Sequence, residues 1–256
     1  MKIELLPTRP GTREQMQLFT TFLVDGSVAV DAGNLAYALD DGQKAKVRHV
    51  VLTHTHMDHT ASLPIFIDEI FSRLSSPLQV YALPESIATL RQCIFNGSMW
   101  PNFEKIELLN GKGPALEFIA LTPRVPLRLG KLSLTPFPVN HTIPTAGMLI
   151  EDNDAAVIYS ADTYITDELW EVASATKHLK AIFVDVSFPN ELESLAGVAR
   201  HLTPQSLHAD LQKLKSNAKI LCVHIKPPYR KQVIRQLKAL RHPKVSVAEI
   251  GKPYRW

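Results

Sequence analysis

The sequence predicts a mixed α/β (α+β) domain in which two β-sheets pack face to face with helices on their outer sides. Three observations carry this. The first half is rich in hairpin signals, both halves alternate short β-branched runs with helical periodicity, and no repeat, low-complexity tract or Pro/Gly/Ser linker divides the chain. Residues 1–256 therefore read as one domain. With 45% hydrophobic and 21% charged residues, a chain of this length can bury roughly 70–75% of its unfolded surface.

Residues 3–6 read as a first strand, and a polar stretch rich in Thr, Arg and Gly leads from it to a strand at 20–24. Asp25-Gly26 turns the chain into 28–31, a hairpin. Asp31-Ala32-Gly33 closes it with an acid and a glycine, which suits either a turn cap or support of a metal ligand from behind. Residues 47–53 are apolar and β-branched enough for a buried strand, 63–74 have helical periodicity, 79–83 return to strand, and Pro84-Glu85 open a helix toward Asn96. Residues 96–103 are aperiodic with two aromatics, the composition of a loop at a pocket rim. Short strands are expected at 105–109, 116–121, 125–129 and 132–139, and 147–150 and 155–160 form a hairpin around an acidic turn. Thr166-Asp167-Glu168 caps a helix. The remainder alternates: strand 181–186, helices 191–200 and 204–214, strand 219–223, helix 231–240 and a last strand at 245–247.

One stretch stands apart chemically. His54-Thr55-His56-Met57-Asp58-His59 follows the apolar run 47–53, so its three histidines and aspartate are expected in the loop at a strand's carboxyl end. Neutral imidazole and carboxylate are the usual ligands of Zn²⁺ and similar ions, and this density lets one loop serve two adjacent ions. Three further predicted strands empty into the same residue types, at His141, Asp162 and His224. Four such ends in one chain point to a shared site. His49, His178, His208 and His242 sit beside charged residues or on helix surfaces and are read as solvated. Cys93 and Cys222 lie far apart, the latter in an apolar run, and are read as free thiols.

A net charge of +3 is compatible with anionic substrates but far from the density of a dedicated nucleic-acid binder. The N-terminal apolar run, broken at Pro7, is too short for a signal peptide, and no segment approaches membrane-spanning length. A cytoplasmic protein without a membrane role is the expectation.

The pattern His54-x-His56-x-Asp58-His59, then His141, Asp162 and His224, resembles the complete ligand set of the metallo-β-lactamase superfamily, over most of the chain. The resemblance implies a four-layer αββα sandwich of the metallo-β-lactamase type with a binuclear site at one edge of the sheets. It implies that His54, His56 and His141 hold one ion, that Asp58, His59 and His224 hold the other, and that Asp162 bridges them. Two divalent ions are implied, with zinc favoured by imidazole-rich ligation and manganese and iron also suited to mixed N/O sites. His56 stands where relatives with diiron redox chemistry carry a glutamate, which favours hydrolysis. Ala161-Asp162-Thr163, His201-Leu202-Thr203-Pro204 and His224 are similar to the phosphodiesterase branch, which includes ribonuclease Z and the class II cyclic-nucleotide phosphodiesterases. Trp100-Pro101-Asn102, Asp162-Thr163 followed by residues 166–170, and the run 201–207 resemble the class II enzymes. Met57 and Thr60 depart from that family's usual Leu and apolar residue.

The expected reaction is hydrolysis of a 3′,5′-cyclic nucleotide, cAMP or cGMP, to the nucleoside 5′-monophosphate. Two cations lower the pKa of a shared water from 15.7 toward about 7 and neutralise phosphoryl oxygens. Asp58, Asp162 and His201 are the expected catalytic residues, with Asp162 orienting the hydroxide and His201 assisting the leaving alkoxide from a phosphate site at the start of the helix capped by Thr203. His201, Thr163, Asn96 and Trp100 are the expected substrate contacts, and Trp100 serves equally well as a core anchor. The expected partner is the small-molecule nucleotide. Membrane and nucleic acid are not expected, and the sequence allows a homodimer. A ribonuclease Z-like RNA phosphodiesterase is the first rival, yet Lys231, Arg235 and Lys238 line only the outer face of an amphipathic helix. Hydrolysis of thioesters, lactones, β-lactams or sulfate esters leaves the His201 segment unused. A non-catalytic metal or nucleotide sensor is at odds with seven intact ligand positions.

Overall fold

The computed structural model describes residues 1–8 and 16–256 and contains two seven-stranded sheets. Strands β1 (Lys2–Leu5), β2 (Phe22–Val24), β3 (Val28–Val30), β4 (His49–Val51), β5 (Leu78–Ala82) and β6 (Leu116–Ala120) form the first sheet. Strands β7 (Leu127–Leu129), β8 (Leu132–Pro138), β9 (Ala146–Glu151), β10 (Ala156–Tyr159), β11 (Leu179–Asp185), β12 (Lys219–Val223) and β13 (Val245–Val247) form the second, before β14 (Pro253–Arg255) returns to pair with β1. The helices are α1 (Leu35–Ala38), α2 (Asp41–Lys44), α3 (Met57–Thr60), α4 (Leu63–Ile70), α5 (Pro84–Cys93), α6 (Glu168–Ala175), α7 (Glu193–Ala199), α8 (Pro204–Asp210) and α9 (Arg230–Ala239). No described helix is long and apolar enough to cross a membrane.

Period-two alternation sorts the strand residues between layers. Val28 and Val30, Ala181 and Phe183, and Leu221 and Val223 face the cluster between the two sheets. Their neighbours Ala29, Ile182, Ile220 and Cys222 face outward, under helices. On the first sheet these outer positions meet Leu35, Leu63, Phe66, Ile67, Ile87 and Leu90 of α1, α4 and α5. On the second they meet Leu169, Trp170, Leu207, Val233 and Leu237 of α6, α8 and α9. Three apolar layers thus separate four layers of secondary structure, the expected αββα order.

Each sheet is antiparallel on one side and parallel on the other. β3 to β6 are parallel, as are β10 to β13, so the carboxyl ends within each set share one edge. The hairpins come out as expected, with Asp25 and Gly26 both at positive φ in the turn between β2 and β3. Two expectations fail. Residues 105–109 form no strand and keep a single bridge, Glu107 to Pro114, because a turn through Gly111 and Gly113, both at positive φ, folds the segment onto itself. The last strand expected, 245–247, is followed by β14, whose proline and two polar residues carry no strand pattern and which forms by register with β1, Ile3 opposite Tyr254. The polar stretch after β1 lies largely outside the described residues.

Cys222 is buried while Cys93 is exposed, and burial pushes the Cys222 thiol up. An aromatic disulfide reagent should therefore titrate one thiol in the native protein and two in denaturant. Two reactive thiols under native conditions would contradict this packing.

Candidate metal centre

The chain reaches the site by stopping strands abruptly. His54 and His56 follow β4, His141 follows β8, Asp162 follows β10 and His224 follows β12 directly. Asp31, Ala161 and His224 hold left-handed backbone at the ends of β3, β10 and β12, at φ 62°, 55° and 61°. Such residues cost on the order of 1–3 kcal/mol each and persist where the surroundings fix them. The loop expected at residues 54–59 is only half a loop. Met57 to Thr60 wind into α3, which carries Asp58 and His59, and the Thr60 hydroxyl donates to the His56 carbonyl at 3.1 Å. A threonine where an apolar residue was expected thus closes that turn.

Two donor groups meet at Asp162. In the first, His56 Nδ1 lies 3.1 Å from both His54 Nε2 and His141 Nε2, and Asp162 Oδ2 lies 3.7 Å from His54 Nε2 and 3.9 Å from His141 Nε2. In the second, His224 Nε2 lies 3.0 Å from Asp58 Oδ2, and His59 Nε2 lies 3.3 Å from Asp162 Oδ1. The two oxygens of one carboxylate therefore face different groups. Tetrahedral ligation at 2.0–2.1 Å sets ligand atoms about 3.3 Å apart, the spacing that both groups bracket. His59 Nε2 and Asp162 Oδ1 are buried without a hydrogen-bond partner, an arrangement that a cation between them resolves. The donors fit a divalent ion in each group.

Behind the donors, the second ring nitrogen of four of the five histidines is held. Asp31 Oδ2 takes His59 Nδ1 at 2.7 Å, Thr53 Oγ1 takes His54 Nδ1 at 3.0 Å, the Arg200 carbonyl takes His141 Nδ1 at 3.1 Å and Ser187 Oγ takes His224 Nδ1 at 3.0 Å. These contacts turn Nε2 of His54, His59, His141 and His224 toward the cluster. Asp31, open to two roles in the sequence, supports a ligand and also accepts from the Thr53 N–H at 2.8 Å. Two residues on, Gly33 lets the chain pass under α3. A Cβ there would lie 2.0 Å from the Asp58 carbonyl oxygen. Gly33→Ala should cost about 2–3 kcal/mol in urea unfolding, while Gly42→Ala, whose nearest contact is 3.4 Å, should be close to neutral; equal effects would contradict the close approach.

The field divides the histidines. Burial and the neighbouring His59 hold His54 well below the usual imidazole range, and burial lowers His56 and takes His141 down to about 4. Neutral rings keep lone pairs for ligation. Burial opposes charge on His59 and His224 too, but carboxylates outweigh it. Asp162 and Asp31 raise His59, and Asp162, Asp185 and Asp58 raise His224 to about 9. Burial would raise Asp162 and Asp58, yet the facing histidines hold both well below the carboxylate range.

His201 is also brought to the cluster. Its ring centre lies 5.1 Å from that of His141 and 5.3 Å from that of His224, and Asp185 Oδ2 takes its Nδ1 at 2.7 Å, leaving Nε2 for a substrate. The helix start beside it is not the phosphate site expected. Pro204 has no N–H, Gln205 N–H goes to Asn190 and Ser206 N–H goes to the Thr203 cap. Thr163 is buried with its groups engaged, its N–H on Asp185 and its hydroxyl between Asn140 N–H and the Tyr164 carbonyl, so it braces the loop. Asn96 and Trp100 lie at the far edge. The segment leads into Phe103, whose carbonyl accepts from the first residue of β6, at the amino end of the strands whose carboxyl edge holds the donors. There Asn96 closes its own turn onto Ser98 and Met99, and Trp100 packs on the outer apolar layer of the first sheet.

Asp185, Ser187 and Lys226 are absent from the sequence reading. Asp185 ends a strand of Ala, Ile, Phe and Val, the same signal that singled out His54, Asp162 and His224.

A Beta-lactamase superfamily domain matches residues 20–225. A "Probable 3',5'-cyclic-nucleotide phosphodiesterase" of Yersinia pestis is 27% identical over 223 residues, 76% of this chain and 62% of that protein. A "3',5'-cyclic-nucleotide phosphodiesterase" of Aliivibrio fischeri is 31% identical over 193 residues, 67% of this chain and 54% of that protein. The chain thus matches only about half to three-fifths of the length of these relatives. Among solved structures, unliganded yeast PDE1 superimposes with a TM-score of 0.78 at 18% identity, covering 98% of each chain, a likeness of fold.

Proposed function

Because this chain belongs to the beta-lactamase superfamily, we propose that it is a metal-dependent phosphodiesterase that opens a 3′,5′-cyclic nucleotide to the nucleoside 5′-monophosphate. The observation that carries the reading is His201, tethered to Asp185 and set beside His141 and His224 with Nε2 unclaimed by the ligand network. Hydrolysis of esters with good leaving groups leaves this histidine without a task, whereas a phosphodiester expels an alkoxide that needs a proton. The relatives named as cyclic-nucleotide phosphodiesterases support the same substrate class.

Divalent ions in the two donor groups lower the pKa of water and offset phosphoryl charge. The protein supplies position. Asp162 ties the groups together through its two oxygens, and the neutral rings of His54, His56 and His141 present lone pairs. As the water oxygen joins phosphorus and the bond from phosphorus to the 3′-oxygen breaks, His201 Nε2 delivers a proton to the departing oxygen. Asp185 holds the ring for that transfer. Zinc is the favoured ion, given five imidazoles and two carboxylates among the donors.

The reading is tested with cyclic AMP, cyclic GMP, bis-p-nitrophenyl phosphate and a thioester, offered to protein of measured metal content. Turnover of the phosphodiesters and not of the thioester is expected. A thioesterase inactive on every phosphodiester would overturn it.

A further inference from the structure

Lys226 stands two residues beyond His224, its backbone N–H held by the Ser187 carbonyl at 3.2 Å. Its ammonium lies 3.6 Å from Asp58 Oδ2 and 3.5 Å from His224 Nε2, so both contacts are with the second donor group. The side chain is about one-third exposed, on the open side of that group, whereas His59 on the inner side is fully buried against Asp31. The first group has no such neighbour among the described residues. His54, His56 and His141 meet one another, Asp162, Thr53, the Arg200 carbonyl and the rings of His59 and His201, of which His59 belongs to the second group and His201 stands as near His224 as His141, and the Arg200 guanidinium turns aside onto Asn140 Oδ1.

A cation entering the second group must share Asp58 with an ammonium already beside it. Counted by carboxylates alone, the second group, with Asp58 and half of Asp162, would attract a divalent ion more strongly than the first. The lysine offsets one of those charges. Repulsion between a unit and a double positive charge a few ångströms apart weakens binding about tenfold even at the dielectric of water, and more in a partly buried cleft. We infer that Lys226 makes the two metal positions unequal. The His54/His56/His141/Asp162 group fills first, and the Asp58/His59/Asp162/His224 group fills later and more weakly. Displaced from Asp58 by the second ion, the ammonium becomes a fixed positive charge on the open side of the second group for an anionic substrate oxygen, which ties full metal loading to the presence of an anion. The inference rests on the metal-centre reading and not on the identity of the substrate.

Metal-free full-length chain, titrated with Zn²⁺ against a chromophoric chelator in phosphate-free buffer, tests this beside K226Q and K226R. The native chain should bind zinc in two separate steps. K226Q should tighten the second step at least tenfold and leave the first within about twofold, and K226R should restore the weak second step. If K226Q does not fold, K226M, which keeps the apolar stem, carries the same expectation. Two steps of equal affinity in the native chain, or a second step unmoved in K226Q, would overturn the inference, and so would absence of zinc binding by every variant. The expected zinc steps without cyclic-nucleotide turnover would uphold it and reject only the substrate assigned above.

Discussion

Asp162→Ala should leave a folded chain that holds fewer than one zinc per molecule and has lost about 10³-fold or more of its turnover. Among the described residues no other side chain serves both donor groups. Oδ2 faces His54 and His141 while Oδ1 faces His59, so one substitution removes a ligand from each ion and the link that fixes their separation. It also leaves His59 Nε2 facing an empty space in a buried pocket. Metal analysis of the purified variant, with its circular dichroism spectrum as a control for folding, checks this. A variant that retains two zinc ions and native activity would show that the carboxylate does not join the groups.

His201→Ala should behave in the opposite way, keeping the metal and losing the chemistry. Proton transfer by a positioned side chain contributes about 10²–10⁴-fold, and that is the expected fall in kcat for a cyclic nucleotide. Zinc content should not change, because His201 Nδ1 is committed to Asp185 and the donors are otherwise complete. The loss should shrink for bis-p-nitrophenyl phosphate, whose leaving group departs without a proton. Asp185→Asn should show a milder form of the same split, since an amide oxygen still accepts from the ring but no longer carries charge. Equal losses on both substrates would place His201 in binding and not in proton delivery.

The cluster of candidate donors was legible in the sequence because its residues come at strand ends, where an apolar run gives way to a lone histidine or aspartate. His54, His141, Asp162 and His224 could each be found this way. The layer order was legible as well, because a strand with an unbroken apolar run such as residues 181–184 needs apolar cover on both faces. What was hidden is what depends on contacts distant in sequence. Residues 105–109 have strand composition but find only the single bridge to Pro114, while β14 has little strand composition and a ready partner in β1. Trp100 and Asn96 resembled a substrate rim, but the parallel crossover through α5 carries them to the amino edge of the sheet. The helix start at Pro204 offered phosphate-binding amides until Asn190 and Thr203 were seen to occupy them. Asp185 stands at a strand end like the other donors, but its partner His201 lies 16 positions on, and Lys226 meets Asp58 across 168 positions, a spacing no local pattern encodes.

The most direct test is chromatographic identification of the nucleotide released from cyclic AMP by the zinc-loaded chain and by the same chain stripped of metal. The expected result is 5′-AMP alone, formed only by the loaded chain. No nucleotide from the loaded chain, or equal release by the stripped one, would contradict a metal-dependent cyclic-nucleotide phosphodiesterase.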